Sequence, residues 1–108
     1  MLKSYIHLRE FQYNAKLQAL TIQFYGHFGN INKALQIFNC IKKHEKNILV
    51  MNALMNAYCC CKLSGPCIKF FDKLLIEHTN IKPNIMTYSL AFKACTIGTL
   101  FHLSLIHI

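Results

Sequence analysis

At 108 residues the chain has room for one small domain, and its 54% hydrophobic and 15% charged residues exclude a disordered, self-solvating polymer. So apolar a surface in so short a chain suggests a piece that stacks on or continues into something else. Twelve Lys and Arg against four Asp and Glu give a formal net charge of +8, which points to a polyanionic partner, nucleic acid or an acidic membrane surface.

Residues 1–14 read as a lead-in or the tail of a preceding unit. The start, MLKSYIHLREFQYNAK, is mildly basic but carries Glu10 and a single arginine, a poor match to an organelle transit peptide. From Leu17 the apolar residues Leu17, Leu20, Ile22, Phe24, Tyr25 and Phe28 fit one broad helical face. Gly29 and Asn30 tolerate the left-handed conformation that ends helices, so they mark a stop. A second helix follows, with Ile31, Ala34, Leu35, Ile37, Phe38 and Ile41 on its buried side. Lys42, Lys43 and Lys46 lie at its end, where cations complement the helix dipole.

The stretch Ile48–Asn84 repeats that plan. An apolar helical pattern begins at Met51 and fades near Cys61, a break falls around Ser64-Gly65-Pro66, and a second pattern runs from Cys67 to Ile76. Lys82-Pro83-Asn84 stops it, because proline biases its predecessor away from helix and has no N–H to donate. Ile85 to Gly98, IMTYSLAFKACTIG, opens a third unit that runs into TLFHLSLIHI.

Six cysteines in a short chain raise the possibility of a secreted disulfide framework. Cys59, Cys60 and Cys61, however, are consecutive on a helix and point in different directions. The chain also has no Asn-x-Ser/Thr site and no signal-peptide pattern. Reduced thiols in an intracellular compartment are the expectation. No run of 18 apolar residues predicts a transmembrane helix. Cys59–Cys61 with Cys67 and His78 contain no CxxC pair and the histidines no HExxH, so small buried hydrophobes, not metal ligands, are expected. A Walker loop, a GxSxG elbow and a deaminase signature are all absent from the sequence, and acids are too scarce for a carboxylate dyad. The expectation is a protein that is not an enzyme, with no cofactor and no small-molecule substrate.

The units align with each other. Tyr25 and Tyr58, Ala34 and Cys67, Phe38 and Phe71, and Ile41 and Leu74 are each 33 residues apart. Asn47 and Asn84, Ile48 and Ile85, Asn52 and Ser89, and Ala57 and Ala94 are each 37 apart. Such a period, with two helices per unit, is the signature of a helical solenoid, because one hairpin cannot bury its own apolar face and stacked neighbours can. Small Ala34 and Cys67 are expected to let the helices of a hairpin approach, with Phe38 and Phe71 filling the seam.

VMNALMNAY (Val50–Tyr58), CIKFFDKLL (Cys67–Leu75), YGHFGNINKALQIFNCI (Tyr25–Ile41) and above all IKPNIMTYSLAFKAC (Ile81–Cys95) resemble the pentatricopeptide repeat family. The Ile-Lys-Pro-Asn junction before a Thr-Tyr-Ser helix start is the most specific feature. The resemblance covers roughly residues 15–102: one repeat over 15–47, a second over 48–84 and a partial third over 85–102. It implies an all-α, right-handed superhelical solenoid of helix-turn-helix repeats that binds single-stranded RNA at about one base per repeat. It also implies an organelle, most often the mitochondrion.

In that family an early residue of the first helix and the last residue of the repeat read a base together. The resemblance places these pairs on Asn52 with Asn84 and on Ala19 with Asn47, while Ser89 opens a third. A side-chain amide both donates and accepts, so Asn52 is equipped for a base edge, and the Asn52/Asn84 combination implies a pyrimidine. A solvated or helix-capping role for Asn52 is the plain alternative. Leu49 and Met86 occupy the apolar position that packs on base faces, where the first repeat has Lys16. Lys62 replaces the usual turn glycine, and Gly65-Pro66 falls inside the start of the next helix, so an irregular turn is expected there. The Phe and Tyr stripe is expected to be core.

A tetratricopeptide-like scaffold for protein–protein interaction is the alternative; the Pro-Asn boundary and the early Asn52 and Ser89 argue against it. A membrane-surface module lacks a concentrated basic helix face. The last six residues, Leu103-Ser104-Leu105-Ile106-His107-Ile108, match the in-frame translation of CTGTCTCTTATACACATC, a transposon end used as a sequencing adapter. Residues 103–108 are therefore expected to be a scar on a truncated gene model, outside fold reasoning. Genomic sequence encoding LSLIHI without interruption would contradict this.

Overall fold

The computed structural model describes residues 15–77 and 80–106, with side chains described through residue 98. The segment 1–14, His78 and the side chains of residues 99–108 lie outside the described residues. Five α-helices follow in order: α1 (Ala15–His27), α2 (Ile31–Cys40), α3 (Ile48–Cys60), α4 (Ser64–Glu77) and α5 (Ile85–Ile106), with a short 3-10 turn at Lys43–Glu45. Among the described residues the architecture is all-helical, two helix-turn-helix hairpins and the first helix of a third unit, stacked in series.

Both hairpin turns close in the same way. At the end of α1 the Asn30 N–H bonds the Tyr25 carbonyl at 2.9 Å and the Gly29 N–H bonds that of Gly26 at 3.0 Å. After α3 the Leu63 N–H bonds the Tyr58 carbonyl at 2.8 Å and the Lys62 N–H bonds that of Cys59 at 3.0 Å. Each is a Schellman closure, which needs one residue in the left-handed region. Gly29 fills that place at φ 76°, and Lys62 fills it at φ 59°. The second turn is therefore regular, contrary to expectation, and its departure from glycine appears as backbone strain on Lys62 instead. Ser64-Gly65-Pro66 is the first turn of α4, where an absent proline N–H leaves no intrahelical bond unmade.

Packing runs from first helix to first helix: α1 lies against α3 and α3 against α5, with α2 and α4 on the outer layer. The central α3 is buried nearly all round, from Val50 through Met55 and at Ala57 and Cys59. It contributes Val50, Met51, Leu54 and Ala57 to a first core with Ile22, Ala34, Phe38 and Leu74. Met55 and Cys59 face a second core with Cys67, Leu90 and Ala94. Full burial of side chains such as Ile22, Met51 and Leu54 stabilises by about 1.5–3 kcal/mol each.

The face that α1 buries differs from the one its hydrophobicity predicts. Gln18, Ala19, Ile22 and Gly26 are buried, whereas Leu17, Leu20, Phe24 and Phe28 are exposed. Close approach decides this: a Cβ on Gly26 would lie 2.6 Å from the Ala57 Cα, so α1 and α3 meet backbone to backbone through small residues. The second hairpin also departs from expectation: Phe70, not Phe71, packs on Tyr58 within it, with ring centroids 6.3 Å apart, and meets Phe38 of the first hairpin edge-on at 5.5 Å, while Phe71 packs on Tyr88 of α5 at 5.8 Å. The aromatic stripe is thus divided, with Phe24, Phe28 and Phe92 in solvent. Ala34 and Cys67 are fully buried, as small residues at helix contacts should be.

The consecutive cysteines diverge. Cys59 lies 3.6 Å from the Leu90 carbonyl and 4.0 Å from the Cys67 sulfur, whereas Cys60 and Cys61 reach back to His27 and Gly26 on α1. The α5 helix passes Gly98 without a turn and continues to Ile106, so the partial third unit is one unbroken helix that includes residues 103–106. Among the described residues no helix is long and apolar enough to cross a membrane, and no three His, Cys, Asp or Glu side chains converge as a metal-binding group.

Candidate nucleic-acid interface

Asparagines begin three of the five helices. Asn30 accepts from the Lys33 N–H at 3.1 Å, Asn47 from the Val50 N–H at 3.2 Å and Asn84 from the Thr87 N–H at 3.0 Å. Each satisfies one of the donors orphaned at a helix start. Only at Asn84 is the cap reciprocal, because Thr87 Oγ1 accepts from the Asn84 N–H at 3.1 Å. That is a capping box with threonine in the usual glutamate position. At the first boundary the third helical residue is Val50, which has nothing to return.

The second boundary is tied to the preceding repeat through Asn52. Its Nδ2 donates to Asn84 Oδ1 at 3.1 Å, and its Oδ1 accepts from Thr87 Oγ1 at 2.6 Å. Thr87 Oγ1 also lies 2.9 Å from Asn84 Oδ1, but it has a single proton and the Asn52 contact is shorter. The Thr87 N–H requires an acceptor, so Asn84 must turn its Oδ1 inward, and Asn52 must then offer it a nitrogen. Every amide orientation in the network follows from that one backbone donor. The outward group is the Asn84 Nδ2, a pair of N–H donors on an exposed residue.

Asn52 is therefore neither a solvated amide nor a cap. It is 7% exposed and bonded to two partners at the start of the next helix. With Gln18 and fully buried Thr87 it is one of three buried polar residues among those described, and all three stand on first helices. No buried side-chain nitrogen or oxygen among the described residues lacks a partner.

The other residues named from the sequence occupy equivalent places without such a network. Leu49 and Met86, second residues of α3 and α5, are 51% and 57% exposed, so an apolar side chain stands in solvent at each boundary. Asn47 is half-buried and Ala19, its partner by resemblance, is buried with no hydrogen-bonding side chain. Ser89 and Lys16 are exposed. Thr87 was not singled out in the sequence, although a threonine three residues after a capping asparagine is the available signal.

No family model matches the chain, and no solved structure matches it. It is 30% identical over 79 residues, 73% of its length, to a pentatricopeptide repeat-containing protein of Arabidopsis thaliana named as chloroplastic, of which it covers 11%. A second pentatricopeptide repeat-containing protein of that plant, named as mitochondrial, is 27% identical over 74 residues, again with 11% of its length covered. The chain is thus an all-helical repeat assembly similar, over about two thirds to three quarters of its length, to segments of pentatricopeptide repeat proteins.

Proposed function

We propose that the chain is a non-catalytic single-stranded RNA-binding segment of the pentatricopeptide type, serving organelle RNA processing or expression. The observation that carries this reading is the 3.1 Å bond between Asn52 and Asn84, the two residues that the family resemblance pairs across a whole repeat. In this reading Asn84 presents the hydrogen-bond donor and Asn52 holds it in orientation. Leu49 and Met86 flank the base with apolar surface. A donor at that place suits cytosine, whose N3 and O2 accept, better than uracil, whose N3–H donates. Ser89 takes the position of Asn52 in the following unit. In the first unit Asn47 has only Ala19 opposite it, so little base discrimination arises there. The excess of lysine supplies phosphate attraction that falls with added salt.

The test is fluorescence anisotropy of labelled oligo(C), oligo(U) and oligo(A) with the 108-residue chain at two salt concentrations. The expected order is C before U before A, with weaker binding at higher salt. Binding indifferent to the base would contradict the reading, and capture of an acidic or apolar peptide in its place would support a tetratricopeptide-like scaffold.

A further inference from the structure

We propose that the cleft between α2 and α4 binds a small aryl phosphate, one aromatic ring with a phosphate head. This site is separate from the RNA interface and does not rest on it. At about 100° per residue, Leu54 and Tyr58, which line the cleft, stand roughly 200–240° round α3 from Asn52. The cleft and the asparagine network therefore occupy opposite sides of the central helix.

The cleft exists because α2 and α4, unlike the first helices, make no close backbone approach and touch through side chains. The edge-to-face contact of Phe38 and Phe70 bridges them and leaves a hollow of about 240 Å³ above it. That volume admits one ring with a charged head but not a polymer. Phe38, Tyr58 and Phe70 give it aromatic walls, and the Asn39 amide and Tyr58 hydroxyl are its neutral polar groups. Lys46 and Lys73 stand at the rim, and no carboxylate lines the hollow.

The cations there are poorly balanced. Lys46 lies over the Phe38 ring, its Nζ 4.3 Å from the centroid, which holds its charge at the mouth. Burial, then the neighbouring charges of Lys73 and Lys43, push its pKa below the ordinary lysine value. Glu77 meets Lys73 at 3.9 Å from the solvent side, with both side chains more than half exposed, so it does little to neutralise the group. A phosphate dianion would relieve the repulsion between the Lys46 and Lys73 ammonium groups, and a flat apolar body would cover the aromatic walls. Neither half of such a ligand uses the whole site.

Amide NMR of the intact 108-residue chain tests this with phenyl phosphate, inorganic phosphate and benzyl alcohol as separate probes at low salt. Phenyl phosphate is expected to give saturable shifts at Phe38, Lys46 and Phe70, with affinity at least about tenfold above either half-ligand. Lys46→Gln and Lys73→Gln should each weaken it by about tenfold, while Lys33→Gln and Asn84→Asp leave it unchanged. Should Lys46→Gln disturb the fold, the exposed Lys73→Gln decides alone. The proposal is overturned if inorganic phosphate binds as tightly, if Lys33→Gln weakens binding as much as Lys73→Gln, or if shifts fail to saturate by about 10 mM.

Discussion

Asn52 Nδ2 donates to Asn84 Oδ1 across 3.1 Å, linking the interior of one first helix to the cap of the next. The bond runs from the first helix of the second repeat to that repeat's last residue, which caps the first helix of the third, so the same contact that stacks the units fixes the direction of the outward Asn84 amide. Stacking and the proposed base reading are thereby coupled in one three-residue network.

Thr87 is the hub of that network, and removing its hydroxyl should be felt in both roles. Thr87→Val leaves the Asn84 N–H and the buried Asn52 Oδ1 without their partner, a cost of about 1–3 kcal/mol. Thr87→Ser keeps the hydroxyl and should recover most of it. Urea denaturation of both variants checks the ordering; equal stability of the valine and serine forms would remove the hub assignment.

Asn52→Ala is expected to lower stability by about 1–2 kcal/mol and to weaken RNA binding. The stability loss follows because the residue is buried and doubly bonded, not lying free in a groove. Thr87 can then turn its proton to Asn84 Oδ1, 2.9 Å away, so the cap of α5 survives. Thermal melting read by circular dichroism gives the first effect and anisotropy gives the second.

Gly26→Ala tests the backbone contact between α1 and α3. Helix propensity alone favours alanine by about 1 kcal/mol. The added Cβ, however, would sit 2.6 Å from Ala57 Cα and 2.7 Å from its Cβ, and backbone cannot yield as a flexible side chain does. A net loss of about 1–3 kcal/mol is expected. A rise in Tm would contradict the close approach of α1 to α3 at this position.

Lys62→Gly should act in the opposite direction. Lysine at φ 59° carries left-handed strain that glycine avoids, so replacement stabilises by about 1 kcal/mol after glycine's greater unfolded-state entropy is counted. The equivalent change at Gly29, to lysine, should destabilise by a similar amount, since that residue holds φ 76°. Denaturation midpoints of the pair measure both.

Much of this was legible in the residues because it rests on backbone chemistry. Gly29, Asn30 and Pro83-Asn84 mark boundaries through conformations and hydrogen bonds that few side chains allow: α1 closes at Gly29, and α2 and α5 begin after Asn30 and Asn84. The starts of α3 and α4 lie three residues before the apolar patterns at Met51 and Cys67: Ser64-Gly65-Pro66 carries no apolar period, and Ile48-Leu49-Val50 is apolar on its buried and exposed sides alike. The buried face of α1 was hidden for a different reason. Gly26 and Ala19 are chosen for small size against α3, and hydrophobicity does not register a close approach. Phe70 and Phe71 are adjacent, about 100° apart round α4, and the apolar period alone does not say which enters the seam. At the site, the Asn52–Asn84 pairing could be read only through family resemblance. Thr87 was overlooked because its partners, Asn84 three residues away and Asn52 in the preceding repeat, are brought together by the fold.

The most direct test is Asn84→Asp, measured by anisotropy with oligo(C) and oligo(U) beside the unaltered chain. Aspartate still caps α5 and still accepts from Thr87 and Asn52, so the fold and melting temperature should hold. Its outward atom becomes an acceptor, which suits the uracil N3–H in place of the cytosine N3. The preference is expected to move from oligo(C) toward oligo(U). An unchanged ratio of the two affinities, in a variant that remains folded, would contradict it.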